Sequence, residues 1–593
     1  MTYSTSMRSH ACGELRTEHV GSQVTLCGWV ARRRDHGGVT FVDLRDRDGL
    51  VQLVFHPGVP DAHAAAQDLK SESVIRVTGE IRPRPEGTVN PSLPTGEVEV
   101  IVRTIEVLSI AETPPFPVEN RIEADELLRL KYRYLDLRRP EMTRIIGLRH
   151  RVVRSIREHL DERGFVEIET PMLTRSTPEG ARDFLVPSRL EPGTFYALPQ
   201  SPQQLKQLLM VAGQDRYYQI ARCFRDEKPR ADRGVEFTQL DLEMSFVNEE
   251  DILTITESLF ARIMLETMGL EVETPFPRLG YDDAMARFGS DKPDLRYGME
   301  LVNLGHVFRG TGFRAIARAL DANGAVKGLA APGGGSLSRK DLEGLVRDTQ
   351  GRGAAGLVWM VCADGGVRSP VEQHVTTEEV AGVRKATGAA DGDLVLIVAD
   401  RPERVAVALD ALRRDLADRL GLIPANDWRF LWVVEPPLFE WGEDEGRWVS
   451  SHHPFTSPAG SDLSPETARA RAYDIVLNGV ELGSGSIRIH DPRIQREVFR
   501  VLGLTREEID EQFGHLIAAF RYGVPPHGGI APGIDRFLMV LAGKDNIRDV
   551  TAFPKAQSGA DPLTGAPAAA SEEQLRELGL RLAEPRKPVP DEA

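Results

Sequence analysis

The stretch that decides the fold is Arg222–Phe246, RCFRDEKPRADRGVEFTQLDLEMSF. Roughly half of its first twenty residues are charged, in both signs, yet apolar residues alternate at its two ends. Successive side chains of a strand point to opposite faces. A strand from Tyr217 therefore puts Tyr218, Ile220 and Phe224 on one face and Ala221, Cys223, Arg225 and Glu227 on the other. In the return strand Leu240, Leu242, Met244 and Phe246 share a face, and Gln239, Asp241 and Glu243 share the opposite one. The pattern predicts an antiparallel hairpin with one core face and one charged floor, joined by the cation-rich loop KPRADRG. Taken alone, it reads equally as a solvated hairpin with surface ion pairs, each worth little.

Three further groups lie around it in the chain. In QSPQQLKQLLM, Ser201 at the N-cap, Pro202 at N1 and Gln204 at N3 read as a capping box opening a helix. Gln203 and Lys206 then share one side of that helix, where its positive end makes an anion the natural guest. In YDIVLNGVELGSGSIRIH, Asp474 and Glu481 are carboxylates in an apolar strand region, costly unless a cation or donor meets them. Gly483 and Gly485 are expected to let a ligand approach the backbone. Strict alternation puts Glu481 and Arg488 on opposite faces, so a shared site requires the glycine run to bulge and switch phase. In HGGIAPGIDRFLMVL, a glycine-rich turn enters a helix with Arg536 in its first turn, which favours phosphate. No GxxxxGK[ST] occurs, so a nucleotide would be held by Arg225, Arg536 and a metal rather than by a P-loop. The plain alternatives are a surface Lys206 and a surface Arg536.

The chain has 593 residues, more than one hydrophobic core usually serves. With 41% hydrophobic and 27% charged residues and only short apolar runs, it does not read as a membrane protein. The start, MTYSTSMRSHACGEL, has no secretory core, and Cys12, Cys27, Cys223 and Cys362 show no CxxC spacing, which predicts reduced thiols in a cytoplasmic protein. A net charge of -16 argues against indiscriminate nucleic-acid binding, so any RNA contact needs a local basic patch. Five short strands between residues 20 and 108 suggest a small closed barrel such as an OB-fold. The run ETPPFPVEN reads as a linker, and residues 141–163 as one amphipathic helix stopped by Gly164.

In this order, these residues resemble the three motifs of class II aminoacyl-tRNA synthetases. GFVEIETPML with Pro171 resembles motif 1, the dimer-interface motif; FRDE (Phe224–Glu227) resembles motif 2; GGIAPGIDRF with Arg536 resembles motif 3. The runs TPEGARDF, QSPQQLKQLLM, ADRGVEFTQLDLEMSF, SHHPFTSP and GSIRIH are similar to the bacterial aspartyl-tRNA synthetases over essentially the whole chain. The resemblance implies an α+β multidomain protein. Its expected parts are an OB-fold anticodon-binding barrel (1–112), a linker (113–140), an antiparallel-sheet catalytic domain (141–287 and 417–558) split by an inserted α+β GAD domain (288–416), and a C-terminal extension (559–593).

It also implies a homodimer that uses ATP and Mg²⁺ to convert L-aspartate to aspartyl-adenylate and passes it to a tRNA 3′ end. Arg225 would bind the α-phosphate and the substrate α-carboxylate, Glu227 the adenine end, and Arg536 the γ-phosphate, making Arg225 and Arg536 the catalytic pair. Asp226, Gly234, Glu481, Gly533, Ile534 and Asp535 would complete the ATP site, and Asp474 with Glu481 would hold Mg²⁺. Glu179 and Gln203 would take the substrate ammonium, while Lys206, oriented by Asp241, and Arg488 would take the side-chain carboxylate. His452 would close over the amino acid, with His453 beside it as the alternative. Gly234 departs from the family, which commonly has Gln there contacting ATP.

For RNA, Arg32, Arg33 and Arg34 form the basic patch that overall acidity demands, Phe41 offers a ring for stacking, and Gln52 an amide for base edges. His36, where members selective for tRNA-Asp tend to have Leu, and Gly87 resemble the non-discriminating subgroup that charges both tRNA-Asp and tRNA-Asn. The alternatives are an enzyme restricted to tRNA-Asp, an asparaginyl- or lysyl-tRNA synthetase, and a noncatalytic RNA-binding relative.

Overall fold

Period-two alternation from Gln23 onward closes into a barrel: β1 (Gln23–His36), β2 (Val39–Arg45), β3 (Leu50–Phe55), β4 (Val74–Pro83) and β5 (Val98–Ser109) join in the order β1-β2-β3-β5-β4. The computed structural model describes residues 4–177, 180–364, 366–443 and 445–583. Val24, Leu26 and Val30 of β1 point inward with Val42, Leu44, Leu53, Val77 and Val100, the small core that a five-stranded closure can fill. Gly37 and Gly38, both at positive φ, make the tight turn between β1 and β2. One short helix, α1 (Pro60–Gln67), stands between β3 and β4.

The chain divides into two compact units: residues 1–150 with 228–234 and 542–570, and residues 151–227 with 235–541 and 571–593. In the first, the stretch expected as linker is partly ordered. Residues 126–131 and 133–136 are helical, and the buried Arg133 guanidinium donates to the carbonyls of Arg548, Thr551 and Ala552.

The expected long helix is α2 (Pro140–Asp161), followed by Gly164 at φ 75°. Motif 1 contributes β6 (Val166–Glu167), only two residues long. Next come α3 (Gln203–Val211) and the hairpin strands β7 (Arg216–Phe224) and β8 (Glu236–Ser245). β9 (Arg278–Gly280) leads into a separate layer of β10 (Val302–Asn303), β11 (Ala325–Ala331), β12 (Val358–Ala363), β13 (Gly366–Arg368) and β14 (Leu394–Asp400), ordered β10-β11-β14-β12-β13. Helix α4 (Pro402–Arg419) packs Val405, Leu409, Leu412 and Leu416 on one face of that layer. At its root Arg413 is fully buried, donating to the carbonyls of Asp294, Tyr297 and Gly298 between the rings of Phe288 and Tyr297.

The chain then returns with β15 (Phe430–Val434), β16 (Ala472–Leu477), β17 (Val480–Ile487), β18 (His527–Pro532) and α5 (Ile534–Leu541). These complete one eight-stranded sheet, β9-β15-β16-β17-β18-β8-β7-β6, antiparallel except at its two outer pairs. Hairpin and glycine-rich strands, almost three hundred residues apart in sequence, are thereby hydrogen-bonded neighbours: Leu242 faces Ile530 and Glu243 faces Gly529.

Candidate active site

The hairpin forms as expected, with Asp241 opposite Gln219 and Glu243 opposite Tyr217. Directly opposed residues share a face, so Tyr217, Gln219, Gln239, Asp241 and Glu243 make one continuous polar floor. The floor is not solvated: Asp241 and Glu243 are both fully buried. Phe246 departs from the expected face, since its backbone turns to φ 59° and leaves the ring 72% exposed.

Helix α3 begins one residue later than its sequence suggests. Ser201 Oγ accepts from Gln203 N at 3.3 Å, Pro202 is the N-cap, and no capping box forms through Gln204. The consequence for Lys206 is unchanged. It is 1% exposed, with Nζ 2.5 Å from Asp241 Oδ1 and 3.5 Å from Glu243 Oε2. Gln239 Nε2 donates to the other oxygen of Asp241.

Arg488 reaches the same floor from beyond β17. Its Nε and Nη2 donate to Glu243 at 2.8 and 3.0 Å, and Nη1 donates to Ser486 Oγ and lies 2.7 Å from His453 Nε2. The phase switch that this requires is present. Ile475 pairs with Gly483 and Val476 with Glu481, so Leu482 is the extra residue of a bulge. The glycines serve a different purpose from the one expected. A Cβ on Gly483 would lie 2.5 Å from Pro532 Cα, and one on Gly485 would overlap Gly529 O and the Tyr473 ring. They admit the neighbouring strand β18 rather than a ligand.

Lys206, Arg488, Asp241 and Glu243 thus form a buried cluster of two cations and two anions. Burial opposes the charge of Glu243, but Arg488 and Lys206 outweigh it and hold its carboxyl below the usual range. Burial likewise works against Arg488, and Glu243 outweighs burial to push the guanidinium above its ordinary value. Burial and the Arg488 charge pull His453 well below its usual value, so its ring is neutral. Glu243 was legible as a floor residue but carried no assigned role; its function as the shared counter-ion appears only when β17 is in place. The two histidines divide: His453 meets Arg488, while the His452 charge acts on Asp474.

Arg225 follows β7 with its guanidinium 5.1 Å from the Phe237 ring centroid and a buried Nε without a hydrogen-bond partner. Its backbone is fixed, Arg225 N donating to Val235 O and Asp226 N to Arg182 O, both at 2.9 Å. Asp226 and Glu227 are exposed. Arg536, in the first turn of α5, donates to Glu481 O at 2.6 Å and lies 3.6 Å from Glu481 Oε1. Gly533 N donates to Leu482 O at 2.7 Å, Ile534 is buried, and Asp535 Oδ2 accepts from Thr238 N at 2.7 Å, which ties α5 to β8. Gly234 lies in the loop between the hairpin strands, and Glu179 lies outside the described residues.

Asp474 Oδ1 is buried without a hydrogen-bond partner. Burial, against the His452 charge and with the Glu481 carboxylate, raises its carboxyl to about 6. Among the described residues no three His, Cys, Asp or Glu side chains gather as a metal cage. An orphaned carboxylate oxygen beside a second carboxylate fits a cation that takes one or two protein ligands and fills the rest of its shell with water and phosphate, as Mg²⁺ does.

On the barrel, Arg34 faces Phe41, Arg32 faces Asp43, and Asp43 faces Gln52, so these side chains share one outer face. Arg34 donates to Asp43 at 2.7 Å and Gln52 to Glu99 at 2.9 Å. Arg33 turns away, donating to Asp35 and to the Gln67 carbonyl. His36 is exposed at the end of β1 and Gly87 in a separate turn at φ 79°.

An antiparallel sheet with a bulged glycine strand and fixed cations, in a chain that begins with a five-stranded barrel, is the build of a class II ligase rather than of a P-loop or dinucleotide fold. The chain belongs to the class II tRNA synthetase family of the D, K and N group, whose model matches residues 125–557. The model of the OB-fold nucleic acid binding domain matches residues 24–108. The chain is 54% identical over 583 residues to the aspartate–tRNA(Asp/Asn) ligase of Syntrophomonas wolfei, covering 97% of this chain and 100% of that one. It is 55% identical over 579 residues to that of Moorella thermoacetica, covering 97% and 96%. Among solved structures, asparaginyl-tRNA synthetase from Pyrococcus horikoshii with asparaginyl-adenylate superposes with TM-score 0.59 at 20% identity, over 92% of this chain and 97% of that one. A putative aspartyl-tRNA synthetase from Leishmania major Friedlin gives TM-score 0.59 at 18% identity, over 93% and 95%. These two likenesses carry the fold. No described helix is long and apolar enough to cross a membrane.

Proposed function

We propose that this chain is a homodimeric aspartate–tRNA ligase that charges both tRNA-Asp and tRNA-Asn. The observation that carries the reading is the buried cluster itself: Lys206 and Arg488 are each held by a buried carboxylate and both lie against Glu243. An α-carboxylate oxygen of aspartate attacks the α-phosphorus of ATP and pyrophosphate leaves; a tRNA 3′-terminal hydroxyl then attacks the acyl carbon and AMP leaves. The nucleophile of the first step is already ionised, so that step needs positioning and charge stabilisation rather than a base. Arg225 holds the α-phosphate and α-carboxylate, Arg536 the far phosphates, and Glu227 with residues 533–535 the rest of ATP. Asp474 and Glu481 are the residues that would hold Mg²⁺, which when bound neutralises phosphate charge.

Asparagine is nearly isosteric with aspartate, so size cannot reject it. Two charge-assisted contacts of about 1.5 to 3 kcal/mol each give on the order of 10² to 10⁴ in discrimination. Asp241 and Glu243 prevent Lys206 and Arg488 from relaxing toward other partners. On the barrel, Arg32, Arg34, Phe41 and Gln52 contact the anticodon, and His36 with Gly87 permit either last anticodon base. The segment 288–416 is the inserted GAD domain. The names of the relatives above support the double tRNA specificity. Parallel aminoacylation of tRNA-Asp and tRNA-Asn transcripts tests it: rates within about tenfold are expected, and a tRNA-Asn rate thousands of times lower contradicts it.

A further inference from the structure

Beside Gln203 runs a file of hydrogen-bonding side chains that neither chemical step uses. His527, fully buried at the start of β18, has Nδ1 2.9 Å from the Pro525 carbonyl. A carbonyl only accepts, so Nδ1 carries the proton. Burial keeps the His527 ring below its ordinary pKa, helped by Arg488 and His490 and opposed by Glu243. The ring is therefore neutral, and Nε2 is an acceptor. Gln207 Nε2 lies 3.1 Å from it and must donate. The Gln207 carbonyl oxygen then faces the other way, where Gln203 Nε2 meets it at 3.1 Å. Directionality thus passes from a backbone carbonyl through a ring and one amide to a second amide, and Gln203 is left with Oε1 as its acceptor.

We propose that His527 and Gln207 are positioning residues that fix the polarity of the Gln203 amide, so that it presents its carbonyl oxygen, not its NH₂, to the substrate ammonium. The inference rests on the reading of Gln203 as the ammonium contact. An unlocked amide has two orientations of nearly equal shape, and one of them sets donors against a group that can only donate. The lock removes that ordering cost in advance of binding, which for one flexible side chain is worth about two- to tenfold in affinity.

The test uses the full chain and ATP–pyrophosphate exchange, reading KM for L-aspartate and Ki for succinate, which keeps both carboxylates and lacks the ammonium. In Gln207→Leu, KM for aspartate should rise about three- to tenfold while Ki for succinate stays within about twofold. In Gln207→Glu one carboxylate oxygen still accepts from Gln203, and the other accepts from His527 Nε2 once the ring takes up a proton to meet the new charge, so KM for aspartate should stay near the wild-type value. Equal weakening of aspartate and succinate by Gln207→Leu would show a merely structural role and overturn the proposal, as would no weakening of either. Should the leucine variant not fold, a leucine-sized loss for aspartate alone in Gln207→Glu also overturns it. Absence of aspartate-dependent exchange in the wild-type chain would instead sink the reading on which the proposal stands.

Discussion

Lys206 donates to Asp241 and lies 3.5 Å from Glu243 as an ion pair. The side chain is 1% exposed, so the direction of its charge is fixed, and in the proposed reading its remaining donor capacity serves the amino acid. Replacing it should therefore damage recognition of the amino acid far more than that of the nucleotide. Lys206→Ala is expected to lower kcat/KM for aspartate by about 10- to 200-fold and to leave KM for ATP within about twofold, read by pyrophosphate exchange; equal losses in both would remove Lys206 from this role. At this scale the sequence was partly legible. Lys206, Asp241 and Arg488 are charged residues in apolar surroundings, a pattern that stands out wherever burial of an unpaired charge is costly. Glu243, Gln207 and His527 did not stand out as functional, because their partners lie on strands or helices far away in sequence. Gln207 and His527 are 320 residues apart and become neighbours only through the order of the sheet.

Among the elements, the hairpin and α2 were read directly from their periods of two and 3.6. The glycines of β17 were misread, because a glycine that makes room for a ligand and one that makes room for a neighbouring strand look alike in one dimension. Here the strand wins: any Cβ on Gly485 overlaps the backbone of β18. The buried side of α2 carries a different liability. His159 packs against Ser258, with Nε2 3.1 Å from its hydroxyl and a buried Nδ1 without a partner. Burial, helped by the Arg163 and Arg262 charges and opposed by Glu162 and Glu266, lowers its pKa to about 4. In the unfolded chain the ring titrates near 6.5, so between pH 6.5 and 4 the unfolded state binds more protons than the folded one. Stability must then fall as pH falls through that window, by at most about 1.4 kcal/mol per pH unit from this residue. Thermal unfolding at pH 7 and pH 5 should show a smaller acid-induced drop in Tm for His159→Asn than for the wild type; equal drops would mean that His159 is already charged in the folded chain.

For the whole molecule, a charge of -16 sits beside a proposed polyanionic partner. The barrel face reconciles them locally: Arg32 and Arg34 stand with Phe41 on one outer surface, although Asp43 and Glu99 share it. Burial raises the Asp43 carboxyl above its ordinary value, only partly offset by the Arg34, Arg84 and Arg32 charges, so three cations already surround this acid before RNA arrives. Recognition of RNA and activation of the amino acid should then be separable. Phe41→Ala is expected to raise KM for tRNA by about 5- to 150-fold, the equivalent of one lost base stack, with pyrophosphate exchange unchanged; a parallel fall in exchange would contradict the separation. The barrel and the antiparallel sheet were legible from strand spacing and motif order. The two-unit division was not, because residues 228–234 and 542–570 join the N-terminal unit from distant parts of the chain.

The claim on which the account depends is that a buried, charge-balanced floor holds two cations in place for a dicarboxylic amino acid. Pyrophosphate exchange with L-aspartate against L-asparagine, at saturating ATP, tests it most directly. The account predicts kcat/KM for aspartate higher by about 10² to 10⁴; exchange with the two amino acids at comparable rates would contradict it.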